Sequence, residues 1–516
     1  MKKSTLGALL VLLIGAAAVL AWKFAKPFFF EQHQIGTSDA KASRGILRIG
    51  GDNYLGYWFI TSPAMRKAAS RDGIAIQFTD DGGAYAERLA KFNAGEYDCI
   101  VLPVNSYLQH GEKYQYPGVI VAAVCESKGA DGIVGYGDRL PSGKIKDLDD
   151  PSLAIVYTGA SPSEFLLDLT IADFDLARLR SDESWRNEVG GSREVYDRAA
   201  RKQGDVFVLW EPDLSRAMRL PGMTYIWGSD KFSGYILDVF VFHRDILSSK
   251  PALVRDFLKH YFRTLATYAN DRGRMLKEMG RATELKTNEL EATIKKIDWY
   301  DLNENCQRLF GINDRPDRPA NDGMISTIIA NTDVLIRTGR FKSDPLSGNP
   351  YLITNSKMLE DLKRNGGPVS VAQPNADAVD FESLSDAEWD RLNEIGAFRV
   401  EPITFQTWDN RLTPEGKAYV DRIATLLTHN YPGYRVVIRG HTAPGGDEAE
   451  NRKLSLERAQ TVMQYLKAVH DIDLLRMRAL GVGSSMPPER KPGESTRAYQ
   501  YRQSRVVFVA VEGNTL

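Results

Sequence analysis

Cysteine is scarce in this 516-residue chain: Cys99, Cys125 and Cys306 are the only three, and no two form a Cys-x-x-Cys pair. That excludes a zinc-ribbon or dithiol redox motif. Cys99 and Cys125 lie in strand-like apolar runs, which admits either a bridge in an oxidising compartment or two buried thiols. The odd count leaves at least one free. A surplus of one charge is also lacking, since 66 Lys and Arg face 67 Asp and Glu for a net charge of −1. A nucleic-acid partner gripped through phosphates needs a basic surplus and is excluded. There is no His-Glu-x-x-His, no Gly-x-Ser-x-Gly and no Walker loop, and the seven histidines are scattered. The expectation is a non-enzymatic protein without cofactor or metal. Internal repeats and low-complexity tracts are missing too, while 43% hydrophobic residues suffice for a sizeable core and exclude a disordered chain.

Long apolar runs are confined to the amino terminus. Lys2 and Lys3 precede 18 uncharged residues from Thr5 to Trp22, about 27 Å as a helix, just enough for a bilayer core. Two readings stand. The run is a signal anchor, with the lysines cytoplasmic and Trp22 at the interface, or a signal peptide cleaved after Val19-Leu20-Ala21. Both export everything after residue 30, to the periplasm or to its inner-membrane face. No Cys follows the run, which excludes a lipid anchor on cysteine.

The rest is α/β. Ile46–Ile49, Ile74–Phe78 and Cys99–Leu102 are strand-like, with helices expected over Ile60–Ser70 and Tyr85–Asn93. This βαβαβ order predicts a parallel sheet with ligand loops at its strand ends. Those ends carry Asp52 to Tyr57, Asp81 to Gly83, and Asn105-Ser106. The pattern restarts with Leu153–Val156 and Val206–Leu209, the latter ending at Trp210-Glu211-Pro212, and a further strand spans Ile236–Phe242. Ser161, Pro162 and Glu164 spell a capping box, so Thr158 to Ser163 open a helix whose free N–H groups suit an anion. Two α/β lobes imply a cleft between them.

These residues resemble type 2 periplasmic solute-binding proteins, most of all the nitrate, taurine, sulfonate and phosphate-type receptors of ABC transporters. The likeness runs from Asp80-Asp81-Gly82 and Asn93-Ala94-Gly95-Glu96-Tyr97-Asp98 through Thr158-Gly159-Ala160-Ser161-Pro162-Ser163 to Leu209-Trp210-Glu211-Pro212. It implies a two-lobed Venus-flytrap domain over residues 41–364. A small anion, sulfonate- or phosphate-like, would be bound by Tyr54, Tyr57, Asp81, Asn105, Thr158, Ser161, Ser163 and Trp210. An ABC permease or another inner-membrane protein would be the partner. Asp52, Asp81, Glu211 and Asp238 lie near the same cleft and would repel a bare dianion. The other reading is a structural tether between inner membrane and wall, whose flytrap domain docks a protein.

Residues 365–396, with Gly366-Gly367-Pro368 and Gln373-Pro374-Asn375, are expected to be a linker after the anchor and spacer of 1–40 and the lobes of 41–364. Beyond it, Val437-Ile438-Arg439-Gly440-His441-Thr442, Asn451, Leu454-Ser455, Arg458-Ala459, Gly481-Val482-Gly483, Pro487 and Arg505-Val506 resemble the OmpA-like peptidoglycan-binding domain. The likeness covers 397–516 as an α+β unit. It implies that Thr442, Asp447, Asn451, Arg458 and Arg505 contact the wall peptide, with the Arg458 guanidinium forked on a diaminopimelate carboxylate. Two positions depart from the family. Ala443 stands where it has Asp, with Asp447 the nearest replacement in the loop, and Gln503-Ser504 stands where it has Asn-Arg.

Overall fold

The computed structural model describes residues 34–36, 45–283, 285–312, 322–366, 381–399, 403, 405, 410–488, 490 and 494–513. The amino-terminal apolar run lies outside them; among the described residues no helix is long and apolar enough to cross a membrane.

The first sheet grows from β1 (Gln34–Gly36), β2 (Gly45–Gly51), β3 (Ile74–Asp80) and β4 (Cys99–Pro103). As the alternation predicts, β2 lies parallel to both β3 and β4. The helix expected over Ile60–Ser70 is two helices, Trp58–Thr61 and Pro63–Arg71. Pro63 has no N–H to continue the first, and Ser62 caps the second by accepting from Met65 N at 3.3 Å. Next, β5 (Gly118–Ser127), fully buried, leads across to β6 (Asp131–Tyr136) in a second sheet. That sheet adds β7 (Ile155–Thr158), β8 (Arg186–Val189), β9 (Val206–Trp210) and β10 (Met223–Gly228), in the order β10-β6-β9-β7-β8. The chain returns through β11 (Leu237–His243), which inserts antiparallel between β4 and β5, and β12 (Ile297–Trp299) closes the edge.

The chain therefore crosses between the sheets twice, and Ser229 ties the crossings together. Its Oγ accepts from Gly129 N at 2.8 Å and Asp131 N at 3.1 Å and lies 2.6 Å from Ser127 Oγ. Because β11 separates β4 from β5, Cys99 and Cys125 are not joined; all three cysteines are buried free thiols.

The carboxyl-terminal sheet contains β13 (Asn393–Ala397), β14 (Arg435–His441), β15 (Met477–Gly481) and β16 (Arg505–Glu512), in the order β13-β16-β14-β15. The domain starts earlier than the sequence suggests. A helix at Asp386–Arg391 places Trp389 against Val437, Val509 and Val511, and β13 pairs with β16, so residues 385–396 belong to this sheet and not to a linker. The Glu448–His470 helix lies so close on β14 that a Cβ on Gly440 would sit 1.9 Å from Ser455 O, which is why that position admits only glycine.

This sheet is packed onto the second lobe. Phe174 stacks on Phe398 with centroids 5.5 Å apart, and Trp227, Tyr235, Tyr431 and Tyr434 complete an aromatic cluster. Backbone bonds from Arg399 N to Asp173 O (2.7 Å) and Asp175 N to Ala397 O (3.2 Å) cross the same border.

Candidate functional site

Loops at the sheet edges meet in a cavity of about 290 Å³, counting the part open to solvent, lined by Asp52, Tyr54, Tyr57, Tyr85, Pro103, Asp131, Pro162, Trp210, Ile236 and Asp238. The two sheets both contribute: Asp52 follows β2 and Asp238 lies on β11 in the first, whereas Asp131 opens β6 and Trp210 ends β9 in the second. Tyr54 and Tyr57 stand edge to face, centroids 5.4 Å apart at 85°, and form one corner. Tyr85 and Trp210 approach from opposite lobes; a methyl on Gly83 would lie 3.9 Å from each.

Among the described residues no cationic side chain lines this space. Arg88, which pairs with the lining residue Asp52, is fully buried and spent: Nε donates to Asp81 Oδ2 (2.6 Å), Nη2 to Asp52 Oδ2 (2.8 Å) and Asp81 Oδ1, and Nη1 to Val101 O. Its guanidinium also lies 4.7 Å from the Tyr85 ring centroid. Burial raises the Asp52 carboxyl, and Arg88 only partly offsets it. Burial pushes Asp131 up to about 7; its Oδ2 accepts from Ser127 Oγ at 2.6 Å, which acts the other way, and Glu211 adds to the rise. Asp238 is driven well above the usual carboxylate range, again mainly by burial, although Tyr57 Oη donates to it and Cys125 Sγ lies 3.8 Å away. Tyr54 Oη, whose surroundings are Cys125, Asp238, Asp131 and Asp52, is buried without a hydrogen-bond partner.

Of the solute residues expected from sequence, Tyr54, Tyr57 and Trp210 line the cavity and five do not. Asp81 is engaged by Arg88 and by the N–H groups of Gly83 and Ala84. Asn105 sits in the first turn of the Val104–Gly111 helix instead of in a loop. Asn105 Oδ1, Thr158 Oγ1 and Ser163 Oγ are buried and have no hydrogen-bond partner among the described residues. Ser161 caps the Pro162–Asp173 helix by accepting from Ser163 N at 3.1 Å and donates to Thr158 O. Glu164 accepts not from the cap residue but from Ala160 N, at 2.7 Å. The helix start expected to hold an anion is thus filled by the chain's own carboxylate, and His110 Nε2 donates to Ala160 O at 3.0 Å from the other lobe. Glu211 is buried and satisfied by Lys296 and Ser215. Asp131, Tyr85 and Ile236 escaped the sequence reading because they lie on crossing segments or a helix face; only the pairing of the two sheets aims them at one point.

In the carboxyl-terminal domain, Arg458 Nη1 donates to Ser504 Oγ at 2.7 Å, its guanidinium lies 5.1 Å from the Phe405 centroid, and its Nε is buried without a partner. Arg505 donates to Gln503 O and Met486 O, and Asp175 of the second lobe acts on it across the domain border. Arg505 stands opposite His441 in the β14–β16 ladder. His441 Nδ1, Thr442 Oγ1 and Gln503 Oε1 are buried and unpartnered. Asp447 is not brought here: it caps the long helix, accepting from Ala449 N and Glu450 N, eleven residues before Arg458. That is about 16 Å along the axis. Asn451 Nδ2 donates to Gly445 O at the same remote end.

Residues 404–500 match the OmpA family. Over 84 residues the chain is 34% identical to outer membrane protein A of Serratia odorifera, covering 16% of this chain and about a third (34%) of that relative. Among solved structures it is similar to the alkanesulfonate-binding protein SsuA from Xanthomonas axonopodis pv. citri bound to MOPS (14% identity, TM-score 0.44, 58% of this chain and 94% of that one). The periplasmic nitrate-binding protein NrtA from Synechocystis PCC 6803 gives 11% identity and a TM-score of 0.45 over 63% of this chain and 89% of that one. The chain is thus two α/β lobes, built on a seven-stranded and a five-stranded sheet, followed by a domain that matches the OmpA family over residues 404–500.

Proposed function

We propose that this protein is a non-enzymatic envelope receptor, exported by its amino-terminal segment and retained at the inner membrane by it. Its two lobes bind a small solute, and its OmpA domain contacts peptidoglycan through Thr442, Arg458 and Arg505. The observation that carries the solute reading is the unpartnered Tyr54 hydroxyl in a cavity lined from both sheets. A buried polar group without a partner costs about 1–3 kcal/mol, and a bound solute removes that cost. An ABC permease is the natural recipient of a solute held this way.

A thermal-shift screen of the full chain tests the cleft, since a solute at 100 times its Kd adds about 2.7 kcal/mol. A broad panel of small ions and zwitterions that leaves the midpoint unmoved would sink the receptor reading and leave the tether.

A further inference from the structure

We infer that the inter-lobe cleft takes a small organic cation, an ammonium compound, and not the anion that the sequence suggests. This inference rests on the solute-binding reading and deepens it.

Three observations carry it. First, carboxylates converge on the cavity from separate elements: Asp52 after β2, Asp131 at the start of β6 and Asp238 on β11. The one buried guanidinium nearby, Arg88, has its donors committed to Asp52, Asp81 and Val101 O. Among the described residues neither Asp131 nor Asp238 has a cationic partner; their side-chain donors are the Ser127 and Tyr57 hydroxyls and the Cys125 thiol. A buried carboxylate without a countercharge either keeps a proton or takes a cation, and burial does raise both groups. Second, aromatic side chains line the wall beside Pro103, Pro162 and Ile236. Tyr54, Tyr57 and Trp210 offer rings, and Tyr54 and Tyr57 stand perpendicular at one corner. Ring faces attract weakly hydrated cations, and the attraction is greatest when both sides are desolvated. Third, the Tyr54 hydroxyl is buried among these carboxylates with no partner, so it is free to accept from a ligand N–H or O–H.

Two other classes fit worse. An anion would need donors; Ser163 N is taken by Ser161 and Ala160 N, just before the helix, by Glu164, and the unpartnered Thr158 and Ser163 hydroxyls do not line the cavity. A bare metal ion would need clustered ligands, and among the described residues no group of three His, Cys, Asp or Glu side chains is placed to hold one.

The test uses the full chain and isothermal titration with ethanolamine, choline and the uncharged carbon isostere of choline, dimethylbutanol, beside nitrate, taurine and inorganic phosphate. Ethanolamine or choline is expected to bind, with the isostere at least about tenfold weaker. Asp238→Asn should weaken binding by about tenfold or more. Trp210→Ala, at a half-buried position, gives a second variant whose fold is checked by circular dichroism, and it too should weaken binding. Binding of nitrate, taurine or phosphate in the cleft, or equal binding of choline and its isostere, would overturn the cation inference while leaving a solute-binding protein. Absence of binding by every probe would overturn the inference together with the reading beneath it.

Discussion

Tyr431 of the OmpA domain donates its hydroxyl to Asp173 of the second lobe at 2.7 Å. The same carboxylate accepts from Tyr235 at 3.1 Å and from Arg337 at 2.6 Å, and Asp173 is 1% exposed. A charged acceptor so placed ties the two domains by directed bonds at the centre of an aromatic contact, so the wall domain and the lobe are expected to move as one piece. Tyr431→Phe should cost about 1–2 kcal/mol. Asp173→Asn should cost about 3 kcal/mol, because it leaves a buried guanidinium short of a partner. Urea unfolding gives the energies and small-angle scattering the domain spacing. A Tyr431→Phe protein with an unchanged midpoint and unchanged scattering would refute the tie.

Tyr54→Phe separates function from stability. The hydroxyl has no partner in the free protein, so its removal should leave the thermal midpoint unchanged or raise it. The affinity for the solute should fall by about threefold to tenfold. A variant that is destabilised with intact affinity would show that the hydroxyl serves the fold and not the ligand.

The wall contact turns on Arg458 and Ala443. Arg458→Ala removes one bond to Ser504 and the contact with Phe405, a stability loss of about 1 kcal/mol. Muropeptide affinity should drop by about tenfold or more, since a charged hydrogen bond to the ligand is lost. Ala443→Asp restores the carboxylate expected at that loop position and should raise affinity for diaminopimelate-containing muropeptides. Titration of the full chain with purified muropeptides reads both variants; binding indifferent to both would show that the wall peptide is not held at these two positions.

His441 makes the OmpA domain sensitive to acid. Burial, with Arg505 and Arg439 adding, lowers its imidazole to about 4. An unfolded histidine titrates near 6.5, so between those values the unfolded state binds the extra proton. Stability is therefore full above about pH 6.5 and falls as pH drops toward 4, by about 2 kcal/mol after solvent screening is allowed for. Hydrogen exchange at the β14 amides against pH checks this, and His441→Gln should flatten the profile. An equally steep profile in that variant would assign the loss to other groups.

Much of the architecture is legible in the chain because it is local. Alternating apolar runs and glycine turns specify β2 to β4 as a parallel set, Ser161-Pro162 marks a helix start, and Gly440 and Ser455 belong to one close approach. The linker is legible only in part. Trp389 and β13 follow a polar stretch, and their place depends on pairing with β16, more than a hundred residues on.

The site is less legible, for a physical reason. Tyr54, Tyr57 and Trp210 are found from strand ends because a strand's carboxyl end points its loop at the cleft. The sequence marks Asp131 with nothing, and it notes Asp238 only as a source of repulsion. The three scattered cysteines and the balanced net charge are fixed by composition. Charge balance over the whole chain cannot say where charges meet. Only the crossing of the two sheets gathers three carboxylates around a cavity and commits Arg88 elsewhere, because electrostatics depends on distance and burial and not on order along the chain.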